Sequence, residues 1–443
     1  MKKQPLYFLV FCFSILATSP IIGQSFSLLE AQDYAIKNSY TLRESGAELE
    51  KAQARVNEVI ASGLPQITGG VNYQNFLKQP VSVIPAEFFG GEPGTFQTVV
   101  FGTKQNMSLD LTANQLLFDG SYIIGLKAAK EVVQLSNLQR KLSSQEIKKQ
   151  VYDAYAMVLA AEKNLLTLEN SANKLEDLKR QTTALKEAGL TDDISLAQLQ
   201  INLSNIQFAV ENAATQVVLA ENLLKYTMGY PVDGELMLTS KMEEFTNVKI
   251  EDFMVDQFSS LQTTEYKLAR QNSLLKEYQL KADKASYLPT LSTFFNHQQN
   301  AFRQEFSFLS NTDDYFTTNL IGVNLSVPIF SSFRKKNQIK QSKINLEIAQ
   351  INQTKMGELM KLELSNARAN LKNEINNYRT QESNLELSNK IKEQTRIKFS
   401  EGLASSFDLN QAESQFLQAQ AAYTGAIINL SSAKSNLDKL LNK

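Results

Sequence analysis

The chain repeats itself over almost its whole length, and any fold it adopts must give both copies equivalent places. Leu64-Pro65-Gln66 in the first half answers to Leu288-Pro289-Thr290 in the second, and Leu117-Phe118-Asp119-Gly120 answers to Ile329-Phe330-Ser331-Ser332. Further on, Glu187-Ala188-Gly189-Leu190 answers to Ser400-Glu401-Gly402-Leu403, and Gln198 to Gln411; the last two offsets are both 213. Each half reads as helix, strand, loop, strand, very long helix, helix.

The very long helices set the scale. From Leu126 to Ala188 there is neither glycine nor proline, and Ile147, Val151, Ala154, Val158, Ala161, Leu165 and Leu168 follow at alternating steps of four and three, a heptad seam. Its counterpart, from about Phe333 to Glu401, is interrupted only by Gly357 and carries Leu364, Leu371, Ile375, Tyr378 and Leu385 at similar spacing. Such a run makes a rod of about 100 Å at 1.5 Å per residue, longer than a compact globular domain needs. Each rod stops at a glycine, Gly189 or Gly402, suited to the left-handed residue after a helix C-terminus. A second helix then returns beside it, so the hairpin tips fall at residues 187 to 195 and 400 to 408.

Between the helices the period changes to two. Ile321, Val323, Leu325 and Val327 alternate with Gly322, Asn324 and Ser326, and Met107, Leu109, Leu111 and Ala113 alternate with Ser108, Asp110, Thr112 and Asn114. These are strands with one apolar and one polar face. Their partners, Gln66 to Leu77 and Thr290 to Gln298, are rougher. Read alone, such strands suit either a soluble sheet or a membrane barrel, since about 9 to 11 tilted residues cross a bilayer. The seams of the rods are too long to cover a soluble sheet. Four strands cannot close a barrel, the smallest membrane barrels having about eight, and open edges are not tolerated in lipid. The barrel must be shared between copies. Aromatics such as Tyr73, Phe76, Phe302, Phe306, Tyr315 and Phe316 stand where strands end, as in an interfacial girdle or in packed external loops. The connection from 78 to 104, with Pro80, Pro85, Gly90, Gly91, Pro93 and Gly94, reads as an external loop.

The N-terminus predicts export. Lys2 and Lys3 precede an apolar run from Leu6 to Ala17 and then Thr18, Ser19, Pro20 and Gly23, the layout of a signal peptide cleaved after Gly23. Cys12 is the only cysteine, so the mature chain has no disulfide framework or thiolate metal site. With Lys2 and Lys3 removed the net charge moves from -1 to -3, which suits no nucleic-acid partner.

Catalytic material is scarce. His297, the single histidine, falls on a strand near its external end and is assigned a structural or surface role. No triad, Cys-His pair or phosphate loop is available, and dispersed carboxylates read as solvated helix faces. The chain is read as no enzyme, with no catalytic residue, cofactor or metal.

The duplicated order, the Leu-Pro-Gln and Leu-Pro-Thr strand entries, the Leu-Phe-Asp-Gly and Pro-Ile-Phe-Ser strand exits, and Glu401-Gly402-Leu403 with Phe407-Asp408-Leu409 resemble the TolC-type outer-membrane efflux proteins. The resemblance covers essentially the whole mature chain. It implies a mainly α fold with a β-barrel portion: a homotrimer whose four strands per chain make one twelve-stranded outer-membrane barrel, continued by a helical barrel across the periplasm. On this reading residues 1–23 are the signal peptide and 24–230 the first repeat, with strands about 66–77 and 106–118 and a hairpin at 120–228. Residues 231–260 form an equatorial segment. The second repeat is 261–443, with strands about 290–298 and 318–330 and a hairpin at 331–442.

The implied function is a passive exit duct of a tripartite efflux or type I secretion system, opened when a periplasmic adaptor and an inner-membrane pump of RND, ABC or MFS type dock. Leu109, Leu111, Ile321, Val323, Leu325 and Val327 are expected to face outer-membrane lipid. Gly189, Leu190, Gly402 and Leu403 are expected to meet the adaptor, with helix capping as the rival use of the glycines. The family often places an acidic residue six positions after each tip glycine. Here the second half keeps Asp408, the first half has Ser195, and Asp192 and Asp193 lie just before it. Asp408, with Asp192 and Asp193, is thus a constriction candidate; the alternative for Asp408 is stabilising the N-terminus of the returning helix. A periplasmic coiled-coil adaptor or scaffold is the other function considered, but an adaptor carries one hairpin where this chain carries two.

Overall fold

The computed structural model describes residues 24–189, 192–248, 258–309 and 315–442. The signal peptide expected at 1–23, Leu190 and the middle of the 231–260 segment lie outside them. The chain divides into two compact units, and each draws on both sequence repeats.

The first unit contains the described parts of 24–44, 143–258 and 362–442. Strand β1 (Gln24–Phe26) pairs in parallel with β6 (Leu236–Leu238). Around this small sheet lie α1 (Leu28–Asn38), the C-terminal part of α3 (Gly120–Glu187), α4 (Asp193–Met228), the short α5 (Glu243–Thr246), the C-terminal part of α7 (Arg334–Ser400) and α8 (Ser406–Leu441). Of the seam residues, Ile147, Val151, Ala154, Val158, Ala161 and Leu168 are buried, and Leu165 is half-buried. On α7, Leu364, Leu371 and Ile375 are buried while Tyr378 and Leu385 are half-buried. Burying each of the Val, Leu and Ile side chains among them favours folding by about 1.5–3 kcal/mol, so the heptad spacing sets which helix faces join.

Polar contacts fix this core. The Tyr155 hydroxyl donates to the Phe26 carbonyl at 2.8 Å and accepts from the backbone N–H of Thr239 at 3.1 Å and of Ser240 at 3.0 Å. One buried side chain thus ties α3 to the C-terminal ends of both strands of the parallel β1–β6 pair. At the start of α1, Ser27 and Glu30 form a capping box, which satisfies helix-end donors reciprocally.

The second unit contains residues 45–142 and the described parts of 259–361. Its sheet has the order β2 (Gln66–Asn75), β5 (Gln105–Phe118), β7 (Thr290–Arg303) and β8 (Phe316–Ser326), antiparallel throughout. The other parts are most of α2 (Tyr40–Ser62), α6 (Thr264–Ala285) and the N-terminal parts of α3 and α7. The expected 78–104 loop holds a hairpin of its own, β3 (Val81–Pro85) with β4 (Phe96–Val100). Its valines had the alternation of a strand, masked by the flanking prolines and glycines. Asp283 joins α6 to α7: its buried carboxylate accepts from Ser342, from Gln338 at 2.9 Å and from Gln279 at 3.2 Å. Among the described residues no helix is long and apolar enough to cross a membrane.

Candidate functional site

Two features carry chemistry, the faces of the four-stranded sheet and the tips of the two hairpins. In antiparallel pairing, residues directly opposite one another project to the same face, so the register assigns each strand residue to a side. One row reads Ile67, Ala113, Phe295, Ile321; the row on the other face next to it reads Thr68, Thr112, Asn296, Leu320. Followed along the sheet, the first face also takes Val71, Tyr73, Met107, Leu109, Leu111, Leu291, Val323 and Leu325. The second takes Asn72, Ser108, Asp110, Asn114, Gln298 and Asn324. The four strands therefore present one apolar and one polar surface in common register.

The apolar band crosses the strands obliquely. On β2 and β5 it runs from the Ile67–Ala113 row toward the β3–β4 hairpin, while on β7 and β8 it runs from Phe295–Ile321 toward Leu291–Leu325. Of the residues expected on the apolar side, Ile321, Val323 and Leu325 are 76%, 68% and 61% exposed, Leu111 is exposed and Leu109 is half-buried. Val327 is exposed but lies beyond β8, which ends at Ser326 ahead of Pro328, where the missing N–H cannot continue a ladder. His297 falls on this same face beside Leu111, and its Nδ1 lies 2.7 Å from Asn319 Oδ1. Near the hairpin end, Tyr73 meets Phe306 and Phe308 edge-on, with Tyr315 hydrogen-bonded to the Phe308 carbonyl at 3.2 Å. Among the described residues no strand pairs with the outer edge of β2 or of β8.

At the first tip, Gly189 has φ 75° and its N–H reaches the Lys186 carbonyl at 2.9 Å. Asp192 is the N-cap of α4, accepting the Ser195 N–H at 2.8 Å, and Asp193 is ion-paired with Lys186 across the turn. At the second tip, Gly402 also has φ 75°, with its N–H on the Phe399 carbonyl at 3.0 Å and the Leu403 N–H on Lys398 at 2.7 Å. Both glycines therefore cap helices. A Cβ would meet nothing within 4 Å at either, so the positive φ rather than crowding calls for glycine.

Ser405 caps α8 with Asp408 as its reciprocal partner: the Asp408 N–H reaches Ser405 Oγ at 3.1 Å and the Ser405 N–H reaches Asp408 Oδ2 at 2.9 Å. Hydrogen bonds from the Ser405 side chain and backbone hold the Asp408 carboxyl below its ordinary range, and the Ser195 N–H does the same for Asp192. Beneath the tips, Leu175, Leu178, Leu199, Leu203, Ile206 and Leu409 form a buried cluster joining α3, α4 and α8. Outside it stand two large exposed apolar residues that are not among the expected adaptor contacts, Ile194 and Phe407, at equivalent positions of the two repeats; Leu403 is exposed too. The signal for them was the 213-residue offset itself.

Farther from the tips, Lys392 is buried with its ammonium 3.4 Å from the Phe416 ring centre and 3.0 Å from Ser171 Oγ. Burial pushes this ammonium's pKa down, and burial pushes that of nearby Glu413 up.

A sequence profile described as outer membrane efflux protein matches residues 32–230 and 267–443. The protease secretion protein PrtF of Dickeya chrysanthemi is 20% identical over 338 residues, covering 74% of this chain and 69% of its own. The outer membrane channel CmeC of Campylobacter jejuni is similar in structure, with a TM-score of 0.72 at 17% identity over 93% of this chain and 85% of that one. The outer membrane protein VceC of Vibrio cholerae follows with a TM-score of 0.67 at 15% identity, covering 94% and 95%.

Proposed function

Because the chain belongs to the outer membrane efflux protein family, we propose that three copies join their sheets into one twelve-stranded barrel in the outer membrane, continued into the periplasm by a helical barrel, as the passive exit duct of an efflux or secretion machine. The observation that carries this reading is the sheet: four strands in common register, apolar on one side, polar on the other, with both edges unpaired among the described residues. A bilayer leaves no water to satisfy edge N–H and C=O groups, so the β2 edge of one copy must meet the β8 edge of the next. The oblique apolar band fits strands tilted about 35–45° from the barrel axis. Leu109, Leu111, Ile321, Val323 and Leu325 would then face lipid, Val327 would lie at the band's periplasmic margin, and the Tyr73–Phe306–Phe308 cluster would serve as the external girdle.

The hairpin tips are the surface for a periplasmic adaptor, which would link the duct to an inner-membrane pump of RND, ABC or MFS type. Gly189 and Gly402 set the turns there, and the exposed Leu403 supplies apolar contact. Asp408, Asp192 and Asp193 place carboxylates around the constricted end, where like charges favour cation entry. PrtF's association with protease secretion and CmeC's with a channel support a conduit for either secretion or efflux. The role assigned is conduction, with energy supplied by the pump and no catalytic step.

The test is oligomeric mass in mild detergent together with single-channel recording in planar bilayers. A trimer that conducts is expected. A monomer that forms no pore would sink the proposal.

A further inference from the structure

We infer that Asp110 is a charge-selecting residue of the barrel bore, favouring cationic over anionic solutes independently of the periplasmic tip. The inference rests on the shared-barrel reading above, in which the polar face of the sheet lines the lumen. The register puts Gly70, Asp110, Gln298 and Thr318 in one row of that face. Every other residue that β2, β5, β7 and β8 place on this side is neutral, largely Asn, Gln, Ser and Thr, so Asp110 is the one charge the strands contribute to it.

Its surroundings leave that charge uncompensated. No ion pair or hydrogen bond engages the Asp110 carboxylate among the described residues. Its neighbours satisfy one another instead, Asn296 donating to Thr112 Oγ1 at 2.8 Å. The side chain leans across β2 over Gly70, where a Cβ would stand 2.7 Å from Asp110 Oδ1. A glycine at that register position leaves room for the carboxylate to lie over the edge strand.

Magnitudes decide what kind of site this is. Twelve strands about 4.8 Å apart and tilted about 40° give a backbone radius of about 12 Å. Three symmetry-related carboxylates would then stand about 9 Å from the axis and about 15 Å from each other. That is too far to share a metal ion, which needs oxygen ligands at about 2.3–2.6 Å. It is close enough to act on a permeating ion, because the Debye length is about 10 Å at 0.1 M ionic strength. The row is therefore a diffuse electrostatic filter.

The experiment compares wild type, Asp110→Asn, Asp110→Glu and Asp110→Lys as assembled proteins in planar bilayers under a KCl gradient. The expected result for Asp110→Asn is a cation-to-chloride permeability ratio lower by about twofold or more at and below 0.1 M, shrinking toward no difference at 1 M, where the Debye length is about 3 Å. Asp110→Glu should restore the wild-type ratio, and Asp110→Lys should shift it toward chloride. Conducting Asp110→Asn and Asp110→Lys pores with the wild-type reversal potential overturn the inference while leaving the duct intact. A wild-type chain that forms no pore overturns the shared barrel, and the inference with it.

Discussion

The carboxylate of Asp192 accepts the backbone N–H of Ser195 at 2.8 Å, and 213 residues later the same two positions hold Ser405 and Asp408 with the side chains exchanged. Each capping pair therefore combines one carboxylate with one serine. Comparing Ser195 with Asp408 position by position suggests that the first half lost its acidic residue; the geometry puts that residue three positions earlier. Both carboxyl pKa values are depressed by these hydrogen bonds from an ordinary 3.8. A depressed carboxyl stabilises the fold above its unfolded pKa and loses that contribution as pH falls through the lowered value. The caps should thus remain intact at neutral and mildly acidic pH. Asp192→Ala and Asp408→Ala should each speed amide hydrogen exchange in the first turn of α4 or α8; unchanged exchange would remove the capping role. Asp408→Asn should also alter cation selectivity or gating if this ring lies in the conduction path.

Tyr155 and Tyr152 make a matched pair. The Tyr155 hydroxyl has three hydrogen-bond partners, whereas that of Tyr152 is buried with none among the described residues. Removing the first leaves backbone groups unpaired at a cost of about 1–3 kcal/mol, while removing the second relieves an unmet desolvation. Tyr155→Phe should lower the thermal midpoint by several degrees, and Tyr152→Phe should leave it unchanged or raise it. Equal losses in both would contradict the assignment.

Glu413 gives a pH-dependent test. Burial raises its pKa from an ordinary 4.5, so between that value and the raised one the folded chain binds more protons than the unfolded chain. Stability contributed by this group is present at the acid end of the window and falls as pH rises through it. Lys392, shifted down by burial, acts at the alkaline end with the opposite slope. Scanning calorimetry should find a shallower fall of stability with pH above about 4.5 in Glu413→Gln than in wild type. Parallel curves would show that the buried carboxyl is not proton-linked.

Ile194 and Phe407 are 67% and 66% exposed at equivalent places, where a soluble surface would favour polar residues. Replacing both with Asp should abolish photocrosslinking between the tips and the periplasmic adaptor in cells while oligomeric mass stays the same. Persistence of the crosslink at wild-type yield would move the docking surface elsewhere.

Sequence patterns revealed what depends on local periodicity. Val151 and Leu371 were legible as seam residues because helix burial follows heptad spacing, and Leu109 and Val323 as one-faced because strand burial follows alternation. Register was not legible, since it depends on pairing between segments up to about two hundred residues apart. Only the pairing of Phe295 with Ile321 and of Ala113 with Ile67 reveals the oblique band and the isolation of Asp110 on the other face. His297 is legible as a strand residue, but its partner Asn319 is fixed only by the register of the neighbouring strand β8. The β3–β4 hairpin escaped because Pro80, Pro85 and Pro93 outweighed the valines between them.

The compact units also differ from the repeats, and this bears on how the protein is made. The unit holding Tyr155 needs the first strand, the middle of the chain and the last helix together. Half a polypeptide emerging from the export machinery therefore has no complete core to settle into, and its seams and strand edges stay exposed until the C-terminus arrives. Contacts so distant along the chain form late and leave intermediates open to aggregation. Biogenesis of this protein should thus depend on periplasmic holdases that shield the waiting segments.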